Sequence, residues 1–314
     1  MAFGRKISAE ESIQRLAKAD PGGNGDEARA GPGSASGELA VRFESRLPKF
    51  KMADVILPDS VRLELKILKS RIRNHELIYR DWGFETVDPK GANIAVSFYG
   101  EPGTGKTMCA EALAADLGQP ILEINYAEIE SKYVGDTPKN IVAAFAAAKQ
   151  AGAVLFFDEA DSILGRRLTN VTQAADHGVN VSRSVMLKQL DQFEGIVIFA
   201  TNLARNYDAA FVRRILQHIH VPVPDEACRL LLWQRMIPEK VPGRELVDFS
   251  KLASESEAMT GGLIKNSALL ALAELAECRP GDRKLTTDSF RRSMVQIRRA
   301  HEEVGAAPMA RSGL

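Results

Sequence analysis

The sequence has no run of about 18 consecutive apolar residues, the length a helix needs to cross a bilayer, so no membrane span is expected. Its N-terminus, MAFGRKISAEES, lacks the apolar centre of a secretory signal. Cysteine is scarce: Cys109, Cys228 and Cys278 are far apart, and no pair has metal-ligand spacing. An odd, sparse count reads as free thiols in a reducing compartment, buried as small hydrophobes. Net charge is absent too, with 41 Lys and Arg against 41 Asp and Glu. That balance argues against a broad electrostatic grip on nucleic acid and leaves only a local basic patch to provide one. There is no HEXXH zinc-protease motif and no internal repeat. These absences describe a soluble, cytoplasmic protein.

What is present is apolar material for a core, 45% of 314 residues, in a length suited to one or two domains. Residues 1–50 read as a flexible N-terminal arm: SAEESIQRLAK has a short helical pattern, and PGGNGDEARAGPGSASG is linker-like. Order is expected from Ala53. The segment VRLELKILKSRIRNHELIY has the spacing of an amphipathic helix. Beyond it, apolar strands and helices alternate. NIAVSFY (93–99), PILEINYA (120–127), AVLFFDEA (153–160), IVIFATN (196–202) and HIHVPVP (218–224) read as strands. MCAEALAADL, PKNIVAAFAAAKQAG (138–152) and SVMLKQLDQFEG (184–195) read as helices. This alternation predicts an α/β fold with a parallel five-stranded sheet over residues 53–224. After Pro224 only helical periodicity remains, which predicts a small helical subdomain at 225–303 and a loose tail at 304–314.

Three polar stretches sit where such sheets bind ligands, at the carboxyl ends of strands. GEPGTGKT (100–107) satisfies G-x-x-x-x-G-K-[ST] between a strand and a helix. Its glycines let backbone N–H groups face a phosphate chain, and the following helix N-terminus adds positive dipole. Glu101, Pro102, Gly103, Thr104 and Gly105 lend backbone, and the loop runs on into Met108. Lys106 can set its charge between the β- and γ-phosphates, and the Thr107 hydroxyl can ligate Mg²⁺. In FFDEAD, Asp158 is suited to hold Mg²⁺ through its water shell and Glu159 to polarise an attacking water. Asp161 has the character of a helix N-cap. Asn202, in ATN, is placed to hydrogen-bond the γ-phosphate or that water.

A P-loop, an acid pair, a strand-end Asn and a helical C-terminal part, in this order, resemble the AAA+ ATPases. The resemblance runs from about Ala53 to Leu275. It is nearest to the AAA clade of protein remodellers, which includes microtubule-severing and membrane-remodelling ATPases. It implies ATP hydrolysis with Mg²⁺ in a homo-oligomeric ring, a hexamer in the family. DAAFVRRILQHIHVPVP is similar to the region carrying trans-acting arginines, which implies that Arg213 and Arg214 enter a neighbour's site. Many relatives carry two more basic residues where this chain has Gln217 and His218. SKYVGDTPKNI resembles a first pore loop, which implies that Lys132, Tyr133 and Val134 grip a polypeptide in the channel. GRRLTNVTQAADHGVN (165–180) falls where a second pore loop would lie, with Arg166 and Arg167 as candidate contacts. The adenine is implied to lie between Asp54, Val55 and Ile56 and the GGLIKN loop, with Gly262 approaching closely and Lys265 as a candidate phosphate sensor. NHELIYRDWGF is similar to single-ring bacterial AAA ATPases, some of which accompany phage-tail-like injection machines.

The expected activity is ATP-driven remodelling, unfolding or disassembly of a protein through a central pore. Two alternatives stand beside it: an ATP-dependent scaffold or switch with little turnover, and a DNA-associated loader, which the zero net charge and the Tyr-bearing loop disfavour.

Overall fold

The computed structural model describes residues 43–88, 94–129, 136–165, 174–202 and 207–305. Five strands form its sheet: β1 (Ile94–Tyr99), β2 (Ile121–Asn125), β3 (Val154–Asp158), β4 (Ile196–Thr201) and β5 (Ile215–His220). They lie in the order β2-β3-β4-β1-β5, and every pairing is parallel. β1 and β4 are mostly apolar and buried almost throughout because both faces of the sheet are covered.

On one face lie α1 (Asp59–Arg73) and α2 (Lys106–Leu117). Val61, Leu65 and Leu68, four and three residues apart, turn one stripe of α1 inward. That stripe joins Cys109 and Leu113 of α2 in a core with Val96, Phe98, Phe156 and Ile198. On the other face lie α3 (Asp136–Ala151) and α4 (Ala174–Gln192). There the Phe145 ring sits 5.9 Å from Phe157 and 5.1 Å from Phe193, and Phe157 stacks on Phe199 at 5.5 Å. Aromatic pairs of this kind are worth about 0.5–1.5 kcal/mol each beyond the area they bury.

Beyond β5 come α5 (Glu226–Met236), α6 (Phe249–Glu255), α7 (Gly261–Glu277) and α8 (Thr287–Gly305). Three of these begin on a side-chain cap: Asp225 accepts from the Cys228 amide, Asp248 from Lys251 and Thr260 from Leu263. Such caps contribute about 1 kcal/mol each and fix where each helix starts. The helices enclose a core of their own around Trp233 and Phe290, whose rings meet edge to face at 5.5 Å. The expected helical subdomain is present, and the described residues from Ser45 onward form one compact unit with it.

Several boundaries differ from those expected. α1 ends at Arg73, and the chain continues through a π-helical turn, Leu77–Asp81. α4 begins at Ala174, ten residues before the stretch read as helix, so 174–180 are not loop. Its early part is held by polar burial: Arg183 is 4% exposed and donates to the carbonyls of Ile163 (3.2 Å) and Ser162 (2.7 Å). Such contacts leave no apolar period to read. β5 begins at Ile215, three residues early, because polar Gln217 and His218 interrupt its apolar run. Order also reaches further back than Ala53. Arg46 pairs antiparallel with Ile121 on the free edge of β2, through two 2.8 Å backbone hydrogen bonds. Its guanidinium bonds Glu123 and, at 2.7 Å, Glu111, which is 3% exposed. The Lys49 amide gives Glu111 a further 2.6 Å bond. Among the described residues, no helix is long and apolar enough to cross a membrane.

Candidate nucleotide site

Strand register assembles the site. β1 and β4 run side by side with Tyr99 opposite Thr201, so the next residues, Gly100 and Asn202, leave the sheet as neighbours. β3 flanks β4, with Phe157 opposite Phe199, and delivers Asp158 to the same edge. Residues read separately from three distant stretches therefore converge.

Lys106 opens α2 and is 8% exposed. Its ammonium has three donors, and all are used: Gly100 O at 2.9 Å, Glu101 O at 2.9 Å and Asn202 Oδ1 at 2.8 Å. Burial lowers its pKa, while Asp158 and Asp161 pull the other way. The Thr107 hydroxyl donates to Asp158 Oδ2 at 2.8 Å, and the Glu159 amide to Asp158 Oδ1 at 2.9 Å. Glu159 adopts φ 52°, a left-handed backbone that costs a non-glycine residue about 1–2 kcal/mol. Strain of this kind gathers at functional sites, where the surrounding structure over-determines it. Here the Ala160 amide donates to Ala200 O at 2.9 Å and locks the turn, leaving Glu159 exposed.

The loop itself depends on glycine at two points. Gly100 has φ 151°, and a Cβ there would stand 2.2 Å from Val221 O. Gly103 has φ 78°, and a Cβ there would meet Thr260 Oγ1 at 3.0 Å. The close approach at Gly103 lets the Gly262 amide donate to Gly103 O at 3.0 Å, joining the start of α7 to the loop. Gly262 is thus brought to the loop. Lys265 is exposed and has no hydrogen bond or ion pair among the described residues.

The segment before α1 also reaches the helical subdomain. Arg235 of α5 donates to Asp54 O (2.5 Å) and Ala53 O (3.2 Å). The Val55 side chain belongs to the sheet core, and Ile56 is half-buried. Met108, half-buried, packs against that core.

Asp161 departs from its expected role. It is the first residue of the turn Asp161–Leu164, whose cap is Ala160. Its carboxylate accepts from the Thr201 hydroxyl and, at 2.9 Å, from the Asn202 amide. Asp161 is a clamp that orients Asn202, a role no local pattern announces. Lys132, Tyr133, Val134, Arg166 and Arg167 lie outside the described residues.

Arg213 and Arg214 are not brought to this edge. They end the turn Ala209–Val212, which Asp208 caps through Ala210 N at 2.8 Å. β5 starts at the next residue, Ile215, opposite Ala95 near the start of β1. The arginines thus sit at the amino edge of the sheet. About five residues of strand at 3.3 Å each, roughly 16 Å, separate them from Gly100, farther than an arginine side chain extends. Gln217 and His218 do not extend this pair: they lie within β5, and Gln217 Oε1 and both His218 ring nitrogens are buried without hydrogen-bond partners. Cys109 and Cys228 are buried with thiol pKa values pushed up to about 12, while Cys278 is exposed.

A parallel sheet whose first strand runs into a Gly-rich loop and helix, with Lys, Thr and a strand-end Asp in contact, defines a P-loop nucleotide-binding fold. Residues 96–223 match the model of the ATPase family associated with various cellular activities (AAA), and the chain carries an AAA ATPase domain. It is 32% identical over 223 residues to spastin of Drosophila willistoni, covering 64% of this chain and 28% of that one. It is 32% identical over 219 residues to the 26S proteasome subunit RPT4 of Saccharomyces cerevisiae, covering 68% and 48%. Spastin of Anopheles gambiae is 31% identical over 223 residues, covering 64% and 26%. The chain therefore spans about a quarter of the spastin sequences and about half of the proteasomal subunit.

Proposed function

We propose that this protein hydrolyses ATP in a ring of identical subunits and uses the energy to remodel a protein substrate. The observation that carries the reading is the three-way contact of Lys106 with the loop carbonyls and Asn202, beside the Thr107–Asp158 pair. It gathers at one edge of the sheet a cation hydrogen-bonded to a polar sensor and a hydroxyl hydrogen-bonded to a carboxylate. A hydroxyl and a carboxylate 2.8 Å apart suit Mg²⁺, which takes one or two protein oxygens and completes its shell with water and substrate phosphates. Bound there, the ion would offset charge on the phosphates. Lys106 would hold the phosphate chain, Glu159 would take up the proton of the attacking water, and Asn202 would orient that water.

Arg213 and Arg214, too far from their own loop, would complete the site of an adjacent copy. Lys132, Tyr133 and Val134 would grip an extended polypeptide in the central channel. The AAA domain and the relatives named above support ATP-driven remodelling; which protein is remodelled is left to experiment.

The test uses Glu159→Gln. This variant should bind ATP with unchanged affinity while its kcat falls by about 10²–10⁴. Unchanged turnover would refute the role of Glu159. Held in ATP, the variant should also retain a protein partner from native extract, and Tyr133→Ala in the same background should lose it. A partner held equally by both would oppose threading.

A further inference from the structure

Two backbone bonds close the short turn Asp161–Leu164: Leu164 N donates to Ala160 O at 3.0 Å and Gly165 N to Asp161 O at 3.1 Å. The turn ends at Gly165, whose backbone is extended, so Ser162 O and Ile163 O have no helical amide ahead of them. Ile163 and Leu164 are fully buried, where an unpaired carbonyl is costly. The Asp208 amide reaches back to Leu164 O at 2.9 Å. Arg183 of α4, itself buried, serves the other two: Nη2 donates to Ser162 O at 2.7 Å and Nε to Ile163 O at 3.2 Å. A guanidinium suits this place because its donors diverge from one rigid plane and meet two consecutive carbonyls together.

The turn is also the mount of the sensor clamp. Asp161 is its first residue, and the Asp161 carboxylate accepts from the Thr201 hydroxyl and the Asn202 amide. Asn202 Oδ1 accepts in turn from the Lys106 ammonium. Arg183 therefore stands at the head of an unbroken run of contacts that passes through the turn, the Asp161 carboxylate and Asn202 to Lys106. Glu159 is secured separately, by the Ala160 amide on Ala200 O. Packing alone does not call for arginine here, since an apolar side chain of similar volume fills a buried site at least as well as a buried charge does. What arginine adds is two directed bonds that set the pitch of the turn.

We infer that Arg183 is a positioning residue for ATP hydrolysis: it holds the Asp161–Leu164 turn so that the Asp161 carboxylate keeps Asn202 correctly aimed. α4 thereby becomes part of the hydrolytic apparatus without touching nucleotide. The inference rests on the proposed reading of Asn202 as the residue that orients the attacking water.

The experiment measures steady-state kcat and KM for ATP in the full-length protein, for Arg183→Met, Asp161→Ala, their double variant and Asn202→Ala. Arg183→Met keeps the volume and removes the donors, so kcat should fall by about tenfold with KM near wild type. Asp161→Ala should do the same, and the double variant should be no slower than the slower single variant, because both act through one contact. An additive loss of about 100-fold would show that Arg183 works by a route other than Asp161 and would overturn the inference. A lowered Tm beside wild-type kcat, measured well below that Tm, would overturn it too, as the mark of a purely structural arginine. If the methionine variant does not fold, Arg183→Lys takes its place in the same cycle. One nitrogen then stands in for two, so kcat should fall severalfold at constant KM, and not at all in the Asp161→Ala background; wild-type kcat in Arg183→Lys would count as failure. Wild-type kcat in Asn202→Ala would instead sink the sensor reading itself, and the inference with it.

Discussion

The two edges of the one sheet are built differently. At the carboxyl edge the polar groups satisfy one another: Lys106 bonds Asn202, Thr107 bonds Asp158, and Asp161 clamps Asn202. At the amino edge Arg213 projects from a short turn with no side-chain partner among the described residues, and Arg214 is tied back to α4. One edge is a nearly closed network and the other presents an exposed cation from a capped turn. If the site is shared as proposed, the contrast would make assembly a requirement: the edge proposed to bind nucleotide lacks Arg213, and the edge that carries Arg213 lacks the loop.

The largest expected effect breaks the carboxyl edge. Lys106→Ala would remove the proposed charge-assisted contact to phosphate, so ATP affinity should fall by about 10²–10³-fold and turnover should vanish. Titration with a fluorescent ATP analogue measures this, and wild-type affinity would refute the loop's role. A smaller effect follows from loosening Asn202. Asp161→Ala should lower kcat by about tenfold while leaving affinity close to wild type, because its hydrogen bonds go to Thr201 and the Asn202 amide and none goes to the loop. A change confined to KM would count against that role.

Away from both edges, Arg46→Ala leaves Glu111 buried without its main partner, which should cost about 3–5 kcal/mol in chemical denaturation. Burial alone would raise the Glu111 pKa, but bonds from Arg46 and the Lys49 amide bring it below the ordinary carboxylate value. Its stabilising contribution is therefore complete above the unfolded pKa and lost as pH falls through the folded one. The variant should unfold with a flatter acid dependence. The smallest effect belongs to β5, which joins the two edges. Burial lowers the His218 pKa from 6.5, and its ring faces Tyr207 at 5.4 Å. The unfolded chain gains a proton there before the folded one, so stability should decline as pH drops below about 6.5. In His218→Phe that part of the slope should disappear, read as the difference in Tm between pH 7 and 5.5.

Much of the carboxyl edge was legible in the sequence because its chemistry is local. GEPGTGKT, FFDEAD and ATN each place functional residues next to the strand that delivers them. The parallel sheet followed from apolar runs alternating with helical periodicity. What escaped reading joins residues far apart in the chain through polar atoms. Asp191 meets Arg214, Arg46 meets Glu111, Arg183 meets the carbonyls of Ser162 and Ile163, and Asp161 meets Asn202. None of these pairs has a period or spacing to betray it. The same cause displaced the starts of α4 and β5, where polar residues occupy buried positions that an apolar pattern would have marked.

The most direct test of the shared site mixes two inactive proteins. On the proposed roles, Lys106→Ala would keep Arg213 but bind nucleotide at least about 100-fold more weakly, and Arg213→Ala would bind nucleotide but offer no cation to its neighbour. Each alone should turn over ATP at a negligible rate. Mixed at equal concentration, with co-assembly verified by native mass spectrometry, they should regain a substantial fraction of wild-type turnover at the interfaces that pair an intact loop with an intact Arg213. Co-assembled rings that stay inactive at every mixing ratio would contradict a site built from the two edges of two copies.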